Sequence, residues 1–340
     1  MAAIKALIIG LGNMGQSHAL ALHHHPDAQI VGLVNRSARD LAPELRAYPL
    51  FDSFEQGMAQ RPDLVVIATY SDSHADLAIR AMRAGAHVFV EKPLATTLAD
   101  AQRVVAVAQE TGRKLVVGYI LRHHPSWITL IAEARALGGP YVFRMNLNQQ
   151  STGAEWEVHK ALMQTTSPLV DCGVHYVDVM CQITDAAPLR VQGMGLRLSD
   201  EIAADMYNYG QLQVFFADGS VGWYEAGWGP MISETAFFVK DVVSPRGSVS
   251  IVDAGKTGSS DIDGHSKTGA ILVHRPDGDR IIDTSDEPGH QALCDAEQAF
   301  VLRAIAQDLD LTRPLQDVVQ SLRICLAADE SIRTGRVVTL

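Results

Sequence analysis

The sequence predicts an α/β protein in two parts. Residues 1–122 form an N-terminal doubly wound parallel sheet, and residues 123–340 a C-terminal α+β domain with a large, open, mainly antiparallel sheet. Three observations predict it. Short continuous apolar runs alternate with helical stretches through the first 120 residues, as expected of strands covered on both faces by crossover helices. A glycine-rich turn follows the first run at once. Beyond about residue 122, apolar runs succeed one another with hairpin signals between them.

Taken in order, the runs at 4–9, 29–34, 64–68, 86–90 and 115–117 are the parallel strands. A helix over 74–84 stops at Gly85, a left-handed terminator. The next helix, 97–110, opens on Thr97 as N-cap with Asp100 three residues on, and stops at Gly112. Helices at 127–136 and 169–181 begin the second part. Strands follow at 141–148, 191–198, 209–216, 221–226, 236–243, 249–252 and 270–273. Asp218-Gly219 and Asp277-Gly278 mark tight turns. Helices at 291–307 and 315–334 close the chain, and the Gly/Ser/Asp-rich stretch 254–267 is expected to be a mobile loop.

Composition bounds the function. With 340 residues, 47% hydrophobic and 20% charged, the chain reads as ordinary folded protein. No apolar run spans a bilayer, and the start lacks a signal-peptide cleavage pattern. A formal charge of −11 disfavours nonspecific binding to nucleic acid or anionic lipid. Cys172, Cys181, Cys294 and Cys325 are widely spread, which suits a reduced, cytoplasmic setting better than a disulfide framework.

Gly10-Leu11-Gly12-Asn13-Met14-Gly15 joins the first strand to a helix. The first glycine makes the turn, the second admits a pyrophosphate to the backbone, and the third lets helix and strand close up. The helix N-terminus then offers N–H groups to phosphate. In this strand–turn–helix context the motif predicts a Rossmann-type dinucleotide site. The ribose-reading position, about 20 residues further on, holds Asn35-Arg36-Ser37, with no carboxylate to repel a 2′-phosphate. Arg36 can pair with that phosphate, so NADP(H) is favoured, with NAD(H) possible. The bland alternative is a solvated Arg36 and a neutral ribose contact from Asn35.

Glu91-Lys92-Pro93 ends the fifth-strand region at a carboxyl edge, where open α/β sheets bind ligands. A lysine there can stabilise negative charge on a substrate oxygen, and Pro93 is expected to hold Lys92 extended. It can equally be a surface pair. Asp171 and His175 stand i, i+4 in a helical context and are expected to share one face. The carboxylate would orient the imidazole for acid/base work; the alternative is a capping aspartate and a buried structural histidine. No metal-ligand set closes from these residues. His23-His24-His25 reads as a solvated helix end.

The three motifs, in this order and spacing, resemble the Gfo/Idh/MocA family of glucose-fructose oxidoreductase and inositol dehydrogenase relatives. The resemblance implies that Lys92, Asp171 and His175 form the active site. It implies that Thr69, Tyr70 and His74 lie in a loop beside the cofactor, although Tyr70 stands where the family has proline. Tyr119, Arg122, His159 and Lys160 are further substrate-side candidates, with Trp156, Trp223, Tyr224 and Trp228 as aromatic candidates for a sugar pocket. The implied activity is NAD(P)-dependent oxidation of a sugar or cyclitol CH–OH, or reduction of the ketone, by a homodimer or homotetramer. An NAD-dependent glycosidase and a nonenzymatic dinucleotide-binding regulator are the competing readings.

Overall fold

A computed structural model describes residues 3–37, 39–233, 239–252 and 268–340. The chain divides into two units, Met1–Ile120 with Gln291–Val319, and Leu121–His290 with Gln320–Leu340. The leading stretch of the first unit ends at Ile120. The return of 291–319 to the first unit leaves no local mark in the sequence.

In the first unit, β1 (Ile4–Ile9), β2 (Ala28–Val34), β3 (Leu50–Phe51), β4 (Leu64–Ile67), β5 (His87–Val90) and β6 (Leu115–Val117) form a six-stranded sheet in the order β3-β2-β1-β4-β5-β6. Every pairing is parallel. The apolar runs are continuous because both faces are covered: Ala6–Ile8 and Leu64–Ile67 are wholly buried. The crossover helices are α1 (Asn13–His24), α2 (Phe54–Met58), α3 (His74–Arg83) and α4 (Leu98–Thr111). Thr97 caps α4 by accepting from the Asp100 N–H at 3.1 Å and donating to its carboxylate at 2.8 Å. Gly112 ends it in the left-handed region, as predicted. The strand order reverses between β1 and β4, so the crevice for a ligand opens at their carboxyl ends.

The second unit contains α5 (Pro125–Leu137), α6 (Gly153–Leu162), α7 (Pro168–Asp171) and α8 (Gly173–Thr184). Its sheet consists of β7 (Val142–Gln150), β8 (Pro188–Leu196), β9 (Tyr209–Phe216), β10 (Val221–Gly229), β11 (Lys240–Ser244), β12 (Gly247–Val252), β13 (Ala270–Arg275), β14 (Gly278–Asp283) and β15 (Val338–Thr339). The order is β14-β13-β12-β11-β7-β10-β9-β8-β15. All pairings are antiparallel except β7 with β10. Helices α5 to α8 pack on one face. Leu212, Val214 and Phe216 of β9 and Tyr224, Ala226 and Trp228 of β10 are buried on alternate positions. The other face leaves Met194, Leu196 and Ile281 exposed at 61%, 57% and 71%. The last helices are α9 (His290–Ala306) and α10 (Thr312–Thr334); the unit boundary falls inside α10.

Three expectations change. The helix predicted over 169–181 is two helices, broken at Cys172, so Asp171 ends α7 while His175 lies in the first turn of α8. Ser167, the α7 N-cap, and Pro168 at its first position explain the earlier start. The strand predicted at 236–243 is seen as Lys240–Ser244, with 236–238 outside the described residues. The loop expected at 254–267 also lies outside them.

Candidate active site

The turn after β1 shows what each glycine does. Gly10 sits at φ +88°, and a Cβ there would lie 2.4 Å from the Ala68 carbonyl oxygen. A Cβ on Gly15 would fall 1.8 Å from the Gly10 oxygen, so β1 and α1 close on each other only without one. Gly12 has nothing within 4 Å of its absent side chain. The turn is thus tight on two sides and open on the third, beside the α1 N-terminus carrying Asn13 and Met14. That is a cradle for an anionic ligand.

Asn35 does not stand free at the ribose position. Its Oδ1 accepts from the Leu11 N–H at 3.1 Å, and its Nδ2 donates to the Ser37 carbonyl at 2.6 Å. It therefore braces the glycine turn against the end of β2, while Arg36 and Ser37 are exposed. Beyond β4, the Thr69 and Ser73 hydroxyls lie 2.6 Å apart. His74 is buried with Nδ1 2.8 Å from the Pro93 carbonyl and Nε2 3.1 Å from the Thr69 carbonyl. Burial lowers its pKa, against the opposing pull of these two carbonyls. His74 thus ties the β4 loop to the turn after β5, and Tyr70 is exposed at that loop.

Glu91 and Lys92 follow β5 directly. Glu91 is buried, with His18 Nε2 2.7 Å from its Oε1 and the Lys92 N–H donating to its Oε2 at 3.1 Å. Burial works to raise its pKa, but the His18 hydrogen bond and the charges of His18 and Lys92 bring it below the usual carboxylate value. The Lys92–Pro93 bond is cis. Lys92 is half-buried and Tyr119, beyond β6, is fully buried.

In the second unit the Ser167 hydroxyl accepts from the Val170 N–H at 3.1 Å and donates to the Asp329 carboxylate at 2.8 Å. Asp329 also accepts from the Tyr207 hydroxyl, and burial pushes its carboxyl up to about 6. This network fixes the start of α7 and so the position of Asp171, which is buried beside Cys172. Cys172 reaches Gln149 Oε1 at 3.3 Å, and the same oxygen accepts from Trp228 Nε1 at 2.7 Å. His159 stacks on Trp228 at 4.4 Å between centroids, with Nδ1 2.9 Å from the Ser151 hydroxyl. His159 thus belongs to the cluster around Gln149, to which Cys172 joins the Asp171 corner.

Other substrate-side candidates have structural occupations. Arg122 forks onto Asp178 of α8, its Nε 2.8 Å from one oxygen. Lys160 pairs with Glu157 and Glu201 at 2.8 and 2.7 Å. Trp156, Tyr224 and Trp228 are core residues, while Trp223 is half-buried. Sequence reasoning passed over Gln149, Ser167 and Asp329. Of these only Ser167, directly before a proline, carries a local signal.

Comparison with known proteins gives these units their relatives. Residues 4–119 match the family model for the NAD-binding Rossmann fold of the GFO/IDH/MocA oxidoreductases, and residues 129–236 match the GFO/IDH/MocA C-terminal domain. An inositol 2-dehydrogenase of Salmonella paratyphi B is 27% identical over 186 residues, 52% of this chain and 53% of that one. The chain therefore spans about half the length of the curated relatives it matches first. An inositol 2-dehydrogenase of Rubrobacter xylanophilus is 27% identical over 256 residues, covering 72% of this chain and 70% of the relative. Among solved structures, a scyllo-inositol dehydrogenase of Lactobacillus casei with NAD(H) and scyllo-inositol bound superposes with a TM-score of 0.77. It is 20% identical, and the match covers 99% of both chains.

Proposed function

The chain belongs to the Gfo/Idh/MocA oxidoreductase family, and from that premise we propose that it is an NAD(P)-dependent dehydrogenase or reductase acting on a CH–OH or C=O carbon of a cyclitol, sugar or related polyol. The observation that carries the reading lies within the first unit. The open-sided glycine turn after β1 and the Glu91-Lys92 pair after β5 stand on the same carboxyl edge of one parallel sheet. That edge is where this topology binds a dinucleotide. The relatives named inositol dehydrogenases supply the substrate class.

When bound, the nicotinamide accepts or supplies the hydride. Gly10 to Gly15 and the α1 N-terminus would hold the pyrophosphate, Arg36 and Ser37 would border the ribose on the segment that Asn35 braces, and the loop of Thr69, Tyr70 and His74 would border the rest of the cofactor. Lys92 donates a hydrogen bond to the reacting oxygen and stabilises the charge that develops on it. His175 takes the hydroxyl proton in oxidation, and His175 or Lys92 returns it in reduction. Asp171 orients the imidazole and supports its protonated form. A panel of cyclitols and aldoses, assayed separately with NAD and NADP at the nicotinamide absorbance, tests the reading. Firm cofactor binding with no redox turnover on any CH–OH compound would overturn it.

NADP preference is part of the same proposal. Arg36 is exposed beside Asn35, whose neutral side chain is already turned inward to Leu11. A charge-assisted bond from an exposed arginine to a 2′-phosphate belongs at the weak end of its class, worth about tenfold in affinity. NADPH should bind that much more tightly than NADH, and Arg36→Ala should erase the difference in a fluorescence titration. Equal affinities in the unaltered protein would remove the preference.

Self-association is proposed through the open face of the large sheet. Met194, Leu196 and Ile281 expose large apolar side chains there, and burying them against a second copy follows from their chemistry. Sedimentation at micromolar concentration should show a dimer or tetramer, and a single monomeric species would remove the idea.

A further inference from the structure

Near His18 and Glu91 lies a second carboxyl group that the proposed chemistry does not use. Glu297, on α9, is 1% exposed, and neither of its oxygens has a hydrogen-bond partner among the described residues. Its neighbour Gln298 reaches His18 Nδ1 from its side-chain nitrogen at 3.1 Å. The other ring nitrogen, Nε2, lies 2.7 Å from Glu91 Oε1, and toward a carboxylate, which only accepts, it is the donor. Glu91 therefore has two donors, the His18 ring and the Lys92 N–H, and lies so close to the end of β6 that a Cβ on Gly118 would meet its Oε2 at 3.1 Å.

The groups facing this pocket are His18 from α1, His74 from α3, Glu91 and Lys92 from the end of β5, and Cys294 and Glu297 from α9. Two buried carboxyls thus lie near each other with donors for only one. Like charges in such a place cannot both persist, and the group without donors is the one that stays neutral. Burial, and then the charge of Glu91, push the Glu297 carboxyl well above its ordinary range, in keeping with this division. His18, Cys294 and Glu297 also bring donor atoms within 4.8 Å of one another. Both ring nitrogens of His18 are engaged, by Glu91 and Gln298, which makes the trio part of a hydrogen-bonded core cluster.

We propose that Glu297 is a buried acid that keeps its proton across the working pH range, leaving Glu91 as the sole carboxylate under Lys92, and that Glu91 is the positioning residue that holds Lys92 as a charged hydrogen-bond donor. The functional meaning rests on the role proposed above for Lys92. The physical claim does not, and it is tested without any substrate. The purified full-length chain is compared with Glu297→Gln and Glu91→Gln by infrared difference spectroscopy and by per-residue acylation with acetic anhydride, read by mass spectrometry from pH 6 to 10.

The expected infrared result is a protonated carboxylic C=O band in the unaltered protein at neutral pH and above, lost in Glu297→Gln and retained in Glu91→Gln. The expected acylation midpoint of Lys92 falls by about one pH unit in Glu91→Gln and stays put in Glu297→Gln, which removes no charge. Where Glu297→Gln does not fold, Glu297→Met serves for the same subtraction. Absence of the band, an equal fall of the Lys92 midpoint in Glu297→Gln, or stoichiometric zinc in the purified protein would each overturn the proposal. If the acylation and infrared results hold while Lys92→Ala turns over normally, the catalytic reading fails and this one survives.

Discussion

Lys92→Ala and His175→Ala are each expected to slow turnover about 10²–10⁴-fold, the usual cost of losing a proton-transfer or charge-stabilising group. NADH affinity, read by fluorescence, should hardly move, because the cofactor cradle is built from Gly10 to Gly15 and the segment braced by Asn35. In the proposed chemistry both groups act on one substrate oxygen. The double variant should therefore be little worse than the poorer single one. Turnover within a few-fold of the unaltered protein would remove that residue from the mechanism. Loss of cofactor binding in both would assign them a structural role instead.

The glycine turn offers an equally large contrast. Gly15→Ala sets a methyl carbon 1.8 Å from the Gly10 oxygen, so α1 must move off β1. The expected cost is about 3 kcal/mol of stability, together with loss of cofactor binding. Gly12→Ala meets nothing within 4 Å and should unfold at the same temperature as the unaltered chain. It should nonetheless bind NADH at least about tenfold more weakly, a difference near 1.4 kcal/mol, because the new methyl group occupies the open side where phosphate would lie. A Gly12→Ala protein with unchanged NADH affinity would show that the open side is not where the dinucleotide sits.

Much of the first unit was legible because its strands are buried on both faces. A continuous apolar run as short as Leu64–Ala68, bounded by Asp63 and Thr69 and one of a series of such runs, fits a doubly covered strand. Gly10 to Gly15 can be read only as a turn between strand and helix. The second unit was legible in kind but less so in detail. Period-two burial decides which aromatic residues of β10 face the helices, and register cannot be read from one strand alone: Tyr224 and Trp228 could serve a pocket or the core by residue type, with core the commoner fate, and they are core. The break at Cys172 is marked only by Gly173 after it, which a helix can tolerate, so a single helix was the natural reading. His18 and Glu297 were invisible for another reason. Each is one polar residue on a helix that could as well be solvated, and only the packing of α1 and α9 in one unit, 280 residues apart for the His18–Gln298 bond, makes them partners.

That separation has a consequence for how the chain is made. The six-stranded sheet is complete in sequence by residue 117, yet α9, which supplies Gln298 beside His18 and Glu297 near it, emerges only after β7 to β14 of the second sheet. At ordinary rates of synthesis the wait between residues 120 and 291 is roughly ten to thirty seconds. During that interval His18 and Glu91 lack the α9 side chains that face them in the finished protein. The nascent first unit is therefore an unfinished body until the far end of the chain arrives. A fragment cut at residue 122 would stay in that state permanently, whatever its strands are able to do by themselves.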